Sequence, residues 1–315
     1  MGTQQLDRFV PGHVLARLER DDHLVAEVEG TLCFIDISGF TALSERLAAR
    51  GRVGAEELTE VLGRVFGDML DLVADRGGTL LKFGGDALLL LFEGSDHAMQ
   101  AACAAVEMRA ALRRATEIPT SVGRVALRMS VGLHSGSVHL FRLSGSHHEL
   151  IVAGPACTHV NLMEGTADAG EILISSATRH LLPDGSATRA KGDGWLLRWR
   201  TSRATACGVP RHFDDRVAEP QDYVSTALRT HLQAGESDSE HRLATVLFVK
   251  VLGIDDHIAD EGAEVTARAL QELIANVTSI ADTQEVTFLA TDVDANAFKI
   301  ILVGSVPVSA SDPDG

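Results

Sequence analysis

At 315 residues the chain is long enough for two domains, and its make-up, 45% hydrophobic and 23% charged, is that of a folded globular protein rather than a disordered one. A net charge of −16 argues against nucleic acid or an anionic membrane as partner, because a broadly acidic surface repels both. No window approaches 18 uninterrupted apolar residues, and the amino terminus lacks the basic start and apolar core of a secretion signal. The four cysteines (Cys33, Cys103, Cys157 and Cys207) are scattered without a CxxC pair, so reduced thiols and a cytoplasmic address are expected.

Leu6, Val10, Val14, Leu15 and Leu18 share a helical face, which predicts a helix over 5–20 inside an N-terminal segment 1–28. TLCFIDI, ending at Asp36, predicts a buried strand; Ser38-Gly39 breaks it and Phe40-Thr41 opens a helix. A second helix over 54–75 keeps Leu58, Val61, Leu62, Val65, Phe66, Met69, Leu70 and Val73 at i, i+3, i+4 spacing and stops at Gly77-Gly78. TLLKFGGDALLLLF predicts a hairpin around Gly84-Gly85-Asp86. An alanine-rich helix over 95–115 follows. VALRMSVGL and SVHLFRL predict two strands with Ser135-Gly136 at their turn, and ELIVAG, a helix from 155 and EILIS come next. WLLRWR, with Trp195 and Trp199, predicts a sheet-edge strand. This order predicts an α+β fold for 29–205, a ferredoxin-like, palm-type sheet with helices on one face.

Residues 206–240 turn polar and predict a linker. After it the opening pattern returns as an internal repeat over 241–315. HRLATVLFVKVLGI matches TLCFIDISGF, setting Phe248 against Phe34, Lys250 against Asp36 and Gly253 against Gly39. A long helix over 257–281 follows, and NAFKIILVGS then matches DALLLLFEGS, setting Ala297 against Ala87. The second copy is much shorter than the first, so the expectation is a fragment of something longer, or a partner that completes it.

Asp36 at a strand end and Asp86 in a hairpin turn predict two converging carboxylates, a hard oxygen site suited to Mg²⁺ or Mn²⁺. Ser38-Gly39-Phe40-Thr41 directly behind Asp36 brings backbone N–H groups and a helix start to where phosphates can bind.

FIDISGFT, LKFGGDALL, VGLHSGSV and GPACTHVNLMEGTADAGEILIS resemble, in order, the successive blocks of the class III adenylate and guanylate cyclases, and most resemble the soluble, bicarbonate-type branch with tandem cyclase domains. The resemblance implies that Asp36 and Asp86 bind two metal ions with help from the carbonyl of Ile37. It implies that Ser38, Gly39, Phe40, Thr41 and Gly85 contact the triphosphate of ATP, or of GTP. It also implies a complementary cyclase domain, in a longer chain or a dimer partner, that supplies an adenine-reading lysine and an asparagine–arginine pair. In this sequence those last two positions fall on Thr158 and Leu162, and leucine offers no charge to a developing pentavalent phosphorus. The first domain therefore reads as the metal-binding half alone. The second carries Lys250 and Asn296 where its own metal aspartates would be, and Asp292 at the adenine-lysine position.

By the same resemblance Lys82 lines a regulatory bicarbonate pocket, with Asn161 where an arginine would accompany it. Two other readings stand beside the cyclase. A non-catalytic nucleotide-binding module of the same fold would explain the missing pair. A diguanylate cyclase would require an acid at Ala87. His134, His139, His147 and His148 lack the spacing of a zinc site.

Overall fold

The computed structural model describes residues 14, 15, 18, 23–115, 119–124, 127–199, 220–225 and 244–304. They fall into two compact units: Val28–Val138 with Ala156–Phe213, and Met1–Glu27 with His139–Pro155 and Asp214–Gly315.

From residue 25 the chain runs through β1 (Val25–Ser38), α1 (Phe40–Ala48), α2 (Arg52–Asp75), β2 (Gly78–Gly84), β3 (Ala87–Glu93) and α3 (His97–Ala115). After a two-strand ribbon, β4 (Pro119–Thr120) and β5 (Gly123–Arg124), come β6 (Arg128–Ser144), β7 (His148–Ala153), α4 (Pro155–Thr166), β8 (Ile172–Ile174), α5 (Ser176–Leu181), β9 (Ala187–Lys191) and β10 (Gly194–Leu197). The sheet order is β2-β3-β1-β6-β8-β10-β9, which puts β1 between β3 and β6 at the centre of the sheet. This is a mixed α+β sheet of the expected palm type.

The helix periodicity has a direct structural outcome. Val61, Val65, Phe66, Met69 and Val73 of α2 are buried in one core cluster with Cys33, Ile35 and Ile37 of β1 and Leu88, Leu90 and Phe92 of β3. Removing each such large side chain from water contributes about 1.5–3 kcal/mol. In α3 the buried face is built of Ala98, Ala101, Ala102, Ala104 and Ala105, small side chains that bring that helix close to its neighbours. Arg76, just after α2, holds Glu107 of α3 through both guanidinium branches, at 3.0 and 2.6 Å. A chain of hydroxyls crosses the interior: Thr31 bonds Ser135 at 2.7 Å, Ser135 donates to Thr178 at 3.0 Å, and Ser175 bonds the ring of His134 at 3.0 Å.

Several expectations are corrected here. Ser135-Gly136 is not a turn: β6 runs through it as one strand of 17 residues, and the chain reverses at Gly145–His147, where the Gly145 N–H donates to the His147 carbonyl. A buried strand tolerates a Ser-Gly pair as readily as a hairpin does, and only the long-range partner decides. WLLRWR is not at the sheet edge, because β10 pairs with both β8 and β9, leaving β9 outermost. Trp195 lies beneath the Arg179 guanidinium at 3.7 Å, and Trp199 is buried. Cys103 is disulfide-bonded, while Cys33 and Cys157 are buried thiols outside any disulfide. Spacing along the sequence does not say which sulfurs a fold brings together.

The second unit contains β11 (Thr245–Leu252), α6 (Ile254–Glu261), α7 (Ala263–Thr283), β12 (Val286–Asp294) and β13 (Ala297–Gly304). The single long helix expected over 257–281 is two helices, broken at Gly262 with φ 86°. The strand order is β11-β13-β12. This small sheet and α7 share a core with the tip half of the β6–β7 hairpin: Phe141, Leu143, Ile151 and Ala153 are buried with Leu270, Ile274, Phe288, Phe298 and Ile300. Gln271 clamps the backbone of Ser144, accepting its N–H at 2.9 Å and donating to its carbonyl at 2.5 Å. β11 pairs only with β13 among the described strands, and its Val246, Leu247, Phe248 and Leu252 are exposed. The leading helix and the linker fall mostly outside the described residues; Val14, Leu15 and Leu18 are helical and buried, and Pro220–Tyr223 forms one short helical turn.

Candidate active site

The antiparallel β1–β3 ladder runs from Gly30 opposite Glu93 to Asp36 opposite Ala87, so the last rung sets Asp36 beside the residue that follows Asp86. The Ile37 N–H then donates to the Asp86 carbonyl at 3.1 Å, extending the pairing around the turn. Ile37 is itself buried at 1% exposure, which anchors the strand end. Gly85 takes φ 66°, the left-handed conformation that a tight β2–β3 turn requires. Asp36 and Asp86 are both half-buried and share one end of the sheet. Burial and the charge of Asp86 together push the Asp36 carboxyl above its ordinary range.

Immediately after Asp36 the chain leaves β1. Ser38 donates to the Arg128 carbonyl at 3.3 Å, and Gly39, at φ 92°, turns the backbone into α1. No side chain caps α1 and its first turn carries no acid, so the N–H groups of Phe40 and Thr41 stand at a positive helix end without a side-chain acceptor. Thr41 is exposed, and Phe40 is half-buried. The predicted residues Asp36, Ile37, Ser38, Gly39, Phe40, Thr41, Gly85 and Asp86 thus gather at one end of β1. Lys82 lies apart on β2, half-buried and one residue past a ladder irregularity at Leu81.

Oxygen donors from two carboxylates that repel each other suit a hard divalent cation, which would relieve that repulsion. No group of three His, Cys, Asp or Glu side chains among the described residues is tight enough to hold a metal on its own. Burial and then the neighbouring His159 hold His134 down to about 4.

On the other side of β6, α4 lies directly on the strand. A Cβ at Gly132 would meet the Glu164 N at 2.4 Å and the Val160 carbonyl oxygen at 2.5 Å. The Ser130 hydroxyl donates to Glu164 Oε1 at 2.7 Å. Sequence reasoning passed over Ser130 and Glu164; the only signal was the spacing of Ser130 and Gly132 on one strand face. Thr158 and Leu162 lie on the same helix, half-buried and exposed respectively. Asn161 donates back to the Cys157 carbonyl of its own helix at 2.9 Å.

The C-terminal unit has a corresponding turn. The Gly253 N–H donates to the Asn296 carbonyl at 2.9 Å, as Ile37 does to Asp86. This corrects the expected register: Leu252, not Lys250, lies opposite Ala297 as Asp36 lies opposite Ala87. Lys250 pairs across the ladder with Lys299 and is neutralised by Asp294 at 2.9 Å. Gly253 both accepts the turn's place and caps α6, so two residues present between Ile37 and α1 have no counterpart. The Asn296 side chain fills the helix start, accepting the Asp255 N–H at 2.9 Å.

Human adenylate cyclase type 10 is 28% identical over 151 residues, which cover 47% of this chain and 9% of that protein. The protein of that name from Oryctolagus cuniculus is 29% identical over 156 residues, with the same coverage. This chain therefore spans only a small part of the curated relatives it matches. Among solved structures, the guanylyl cyclase Cya2 is 27% identical, covering 61% of this chain and 98% of that one at a TM-score of 0.46. The adenylyl cyclase CyaB from P. aeruginosa is 25% identical, covering 56% and 97% at 0.45. Residues 26–197, more than half of the chain, match the family described as the adenylate and guanylate cyclase catalytic domain, and the chain belongs to that family.

Proposed function

We propose that residues 29–205 are the metal-binding half of a nucleotide cyclase that converts ATP to cyclic AMP and pyrophosphate, with GTP as the second choice of substrate. The observation that carries this reading is the placement of Asp36 and Asp86 together at one sheet end, directly ahead of an uncapped helix. In it, Asp36, Asp86 and the Ile37 carbonyl offer oxygen to two Mg²⁺ or Mn²⁺ ions. When bound, the ions supply Lewis acidity that lowers the pKa of the attacking hydroxyl and neutralises the leaving pyrophosphate. The N–H groups of Phe40 and Thr41, with the turns at Gly39 and Gly85, orient the phosphates, and Ser38 ties the loop to β6.

The partner half is the weak point of the chain. Thr158 and Leu162 give the transition state neither an amide nor a cation, so we read 241–315 as a partial, degenerate copy, joined by a linker over 206–240. The strand order β12-β13-β11 parallels β2-β3-β1, and Gly253–Asn296 parallels Ile37–Asp86, which supports the copy. A complementary domain, in a longer protein or a dimer, then completes the site. A second reading, a nucleotide-binding module without turnover, is favoured by the exposed Leu162. Bicarbonate control through Lys82 is disfavoured by Asn161, whose amide is engaged within its own helix.

The test is cyclic-nucleotide formation from Mn²⁺-ATP and Mn²⁺-GTP by the 315-residue chain, beside Asp36→Ala and Asp86→Ala. The expected result is weak turnover or none, with Mn²⁺-ATP binding that both substitutions abolish. Binding that survives both would refute the metal-half reading.

A further inference from the structure

We propose that Glu164 is a positioning residue of the cation site: a third carboxylate, seated by Ser130, that strengthens divalent-cation binding at Asp36 and Asp86 through intervening water. The proposal rests on the metal-binding reading above and adds a residue to it.

Three features of β6 and α4 fix where Glu164 stands. Gly132 admits the helix backbone to a distance that any side chain would forbid, since a Cβ there would overlap the Glu164 N and the Val160 oxygen. Two residues earlier on the same face, Ser130 donates to Glu164 Oε1 at 2.7 Å and holds the carboxylate in one orientation. Two residues earlier again, the Arg128 carbonyl receives the Ser38 hydroxyl from the loop behind Asp36. The first five residues of β6 therefore tie the phosphate loop on one side and Glu164 on the other.

The charge balance around Glu164 is incomplete. It is half-buried, and among the described residues no lysine or arginine pairs with it; its hydrogen bond comes from a neutral serine. A partly buried carboxylate without a cation is unfavourable and has to be compensated. Burial pushes the Glu164 carboxyl up, the Ser130 hydrogen bond works against it, and the charge of Asp36 adds a smaller push upward. Its neighbours thus add negative charge where an uncompensated negative pair already stands, and a divalent ion answers all three. Seated on Ser130, Glu164 acts in this proposal through water rather than as a direct ligand.

The experiment is Mn²⁺ titration of the 315-residue chain by electron paramagnetic resonance, paired with thermal unfolding of the metal-free protein. Glu164→Gln keeps the shape and can still accept from Ser130, and removes only the charge. It is expected to raise the Mn²⁺ Kd about threefold to tenfold, the scale of one carboxylate acting across water, while the metal-free midpoint stays equal or rises. Ser130→Ala, which frees the carboxylate, is expected to raise Kd by less. Asp36→Asn is expected to abolish binding. An unchanged Kd in Glu164→Gln, with Asp36→Asn still inactive in binding, overturns this proposal and leaves the metal reading standing. A raised Kd accompanied by a lower metal-free midpoint assigns Glu164 to packing and also overturns it. Absence of Mn²⁺ binding by the wild type, or binding indifferent to Asp36, removes the metal reading itself and this proposal with it.

Discussion

The Ile37 N–H donates to the Asp86 carbonyl at 3.1 Å, so the residue after one acid is stitched to the residue bearing the other. The spacing of the two carboxylates is thereby set by backbone, and their repulsion is built in rather than relaxed away. Burial raises Asp36 most and the Asp86 charge adds to it; replacing Asp86 by Asn removes only the second of these. Because a carboxyl raised in the fold costs stability as pH rises through its titration, the metal-free variant should unfold at an equal or higher temperature near neutral pH. Mn²⁺-ATP should stabilise the wild type by about 2.7 kcal/mol at a hundred times its Kd, and leave the variant unmoved. Differential scanning fluorimetry with and without ligand reads both effects.

Leu162 is exposed and Thr158 half-buried on the same helix. Thr158→Asn together with Leu162→Arg restores the donor types that the family places at these positions. If two copies of the first domain pair, the double variant should raise cyclic-nucleotide formation at least tenfold over wild type, a change in barrier of about 1.4 kcal/mol. No gain under conditions where the protein is dimeric would show that the partner surface lies elsewhere.

His134 is buried, bonded to Ser175, and held down to about 4 from an ordinary 6.5 by burial and then by His159. The unfolded chain therefore binds a proton that the fold refuses between those values, and stability falls as pH drops from about 6.5 to about 4. The span is worth at most about 3 kcal/mol. Urea unfolding at pH 7 and pH 4.5 should show that loss in the wild type and a smaller one in His134→Asn.

At Gly132 the atoms a new Cβ would meet are backbone, which cannot rotate aside. Gly132→Ala should cost about 1–3 kcal/mol and displace α4 from β6. Its unfolding midpoint should fall well below that of Gly165→Ala, where a Cβ meets nothing within 4 Å.

Asn296 holds φ 48° while its side chain accepts the Asp255 N–H, doing for α6 what no side chain does for α1. Asn296→Ala should cost about 0.5–2 kcal/mol through the lost cap. Chemical denaturation of the full chain checks it.

Local chemistry carried much of this into the sequence. The run to Asp36, the Gly-Gly-Asp turn and the spacing in α2 are short-range patterns, and each formed the expected element because its signal lies within a few residues. The same holds for Gly39, whose left-handed turn starts α1 behind the first acid. Ser135-Gly136 was misread because a turn and a continuous strand share those residues, and only the pairing on either side, Val131–Leu133 with β8 and His139–Ser144 with β7, chooses between them. Lys250 was misread because matching letters ignores a two-residue shortening that the ladder counts. Glu164 was invisible for a related reason. Its place depends on Gly132 and Ser130, more than thirty residues away in sequence, and a contact between a helix and a strand is written in neither alone. The amino-acid order determined the elements and the two acids; tertiary packing alone decided which third acid stands near them.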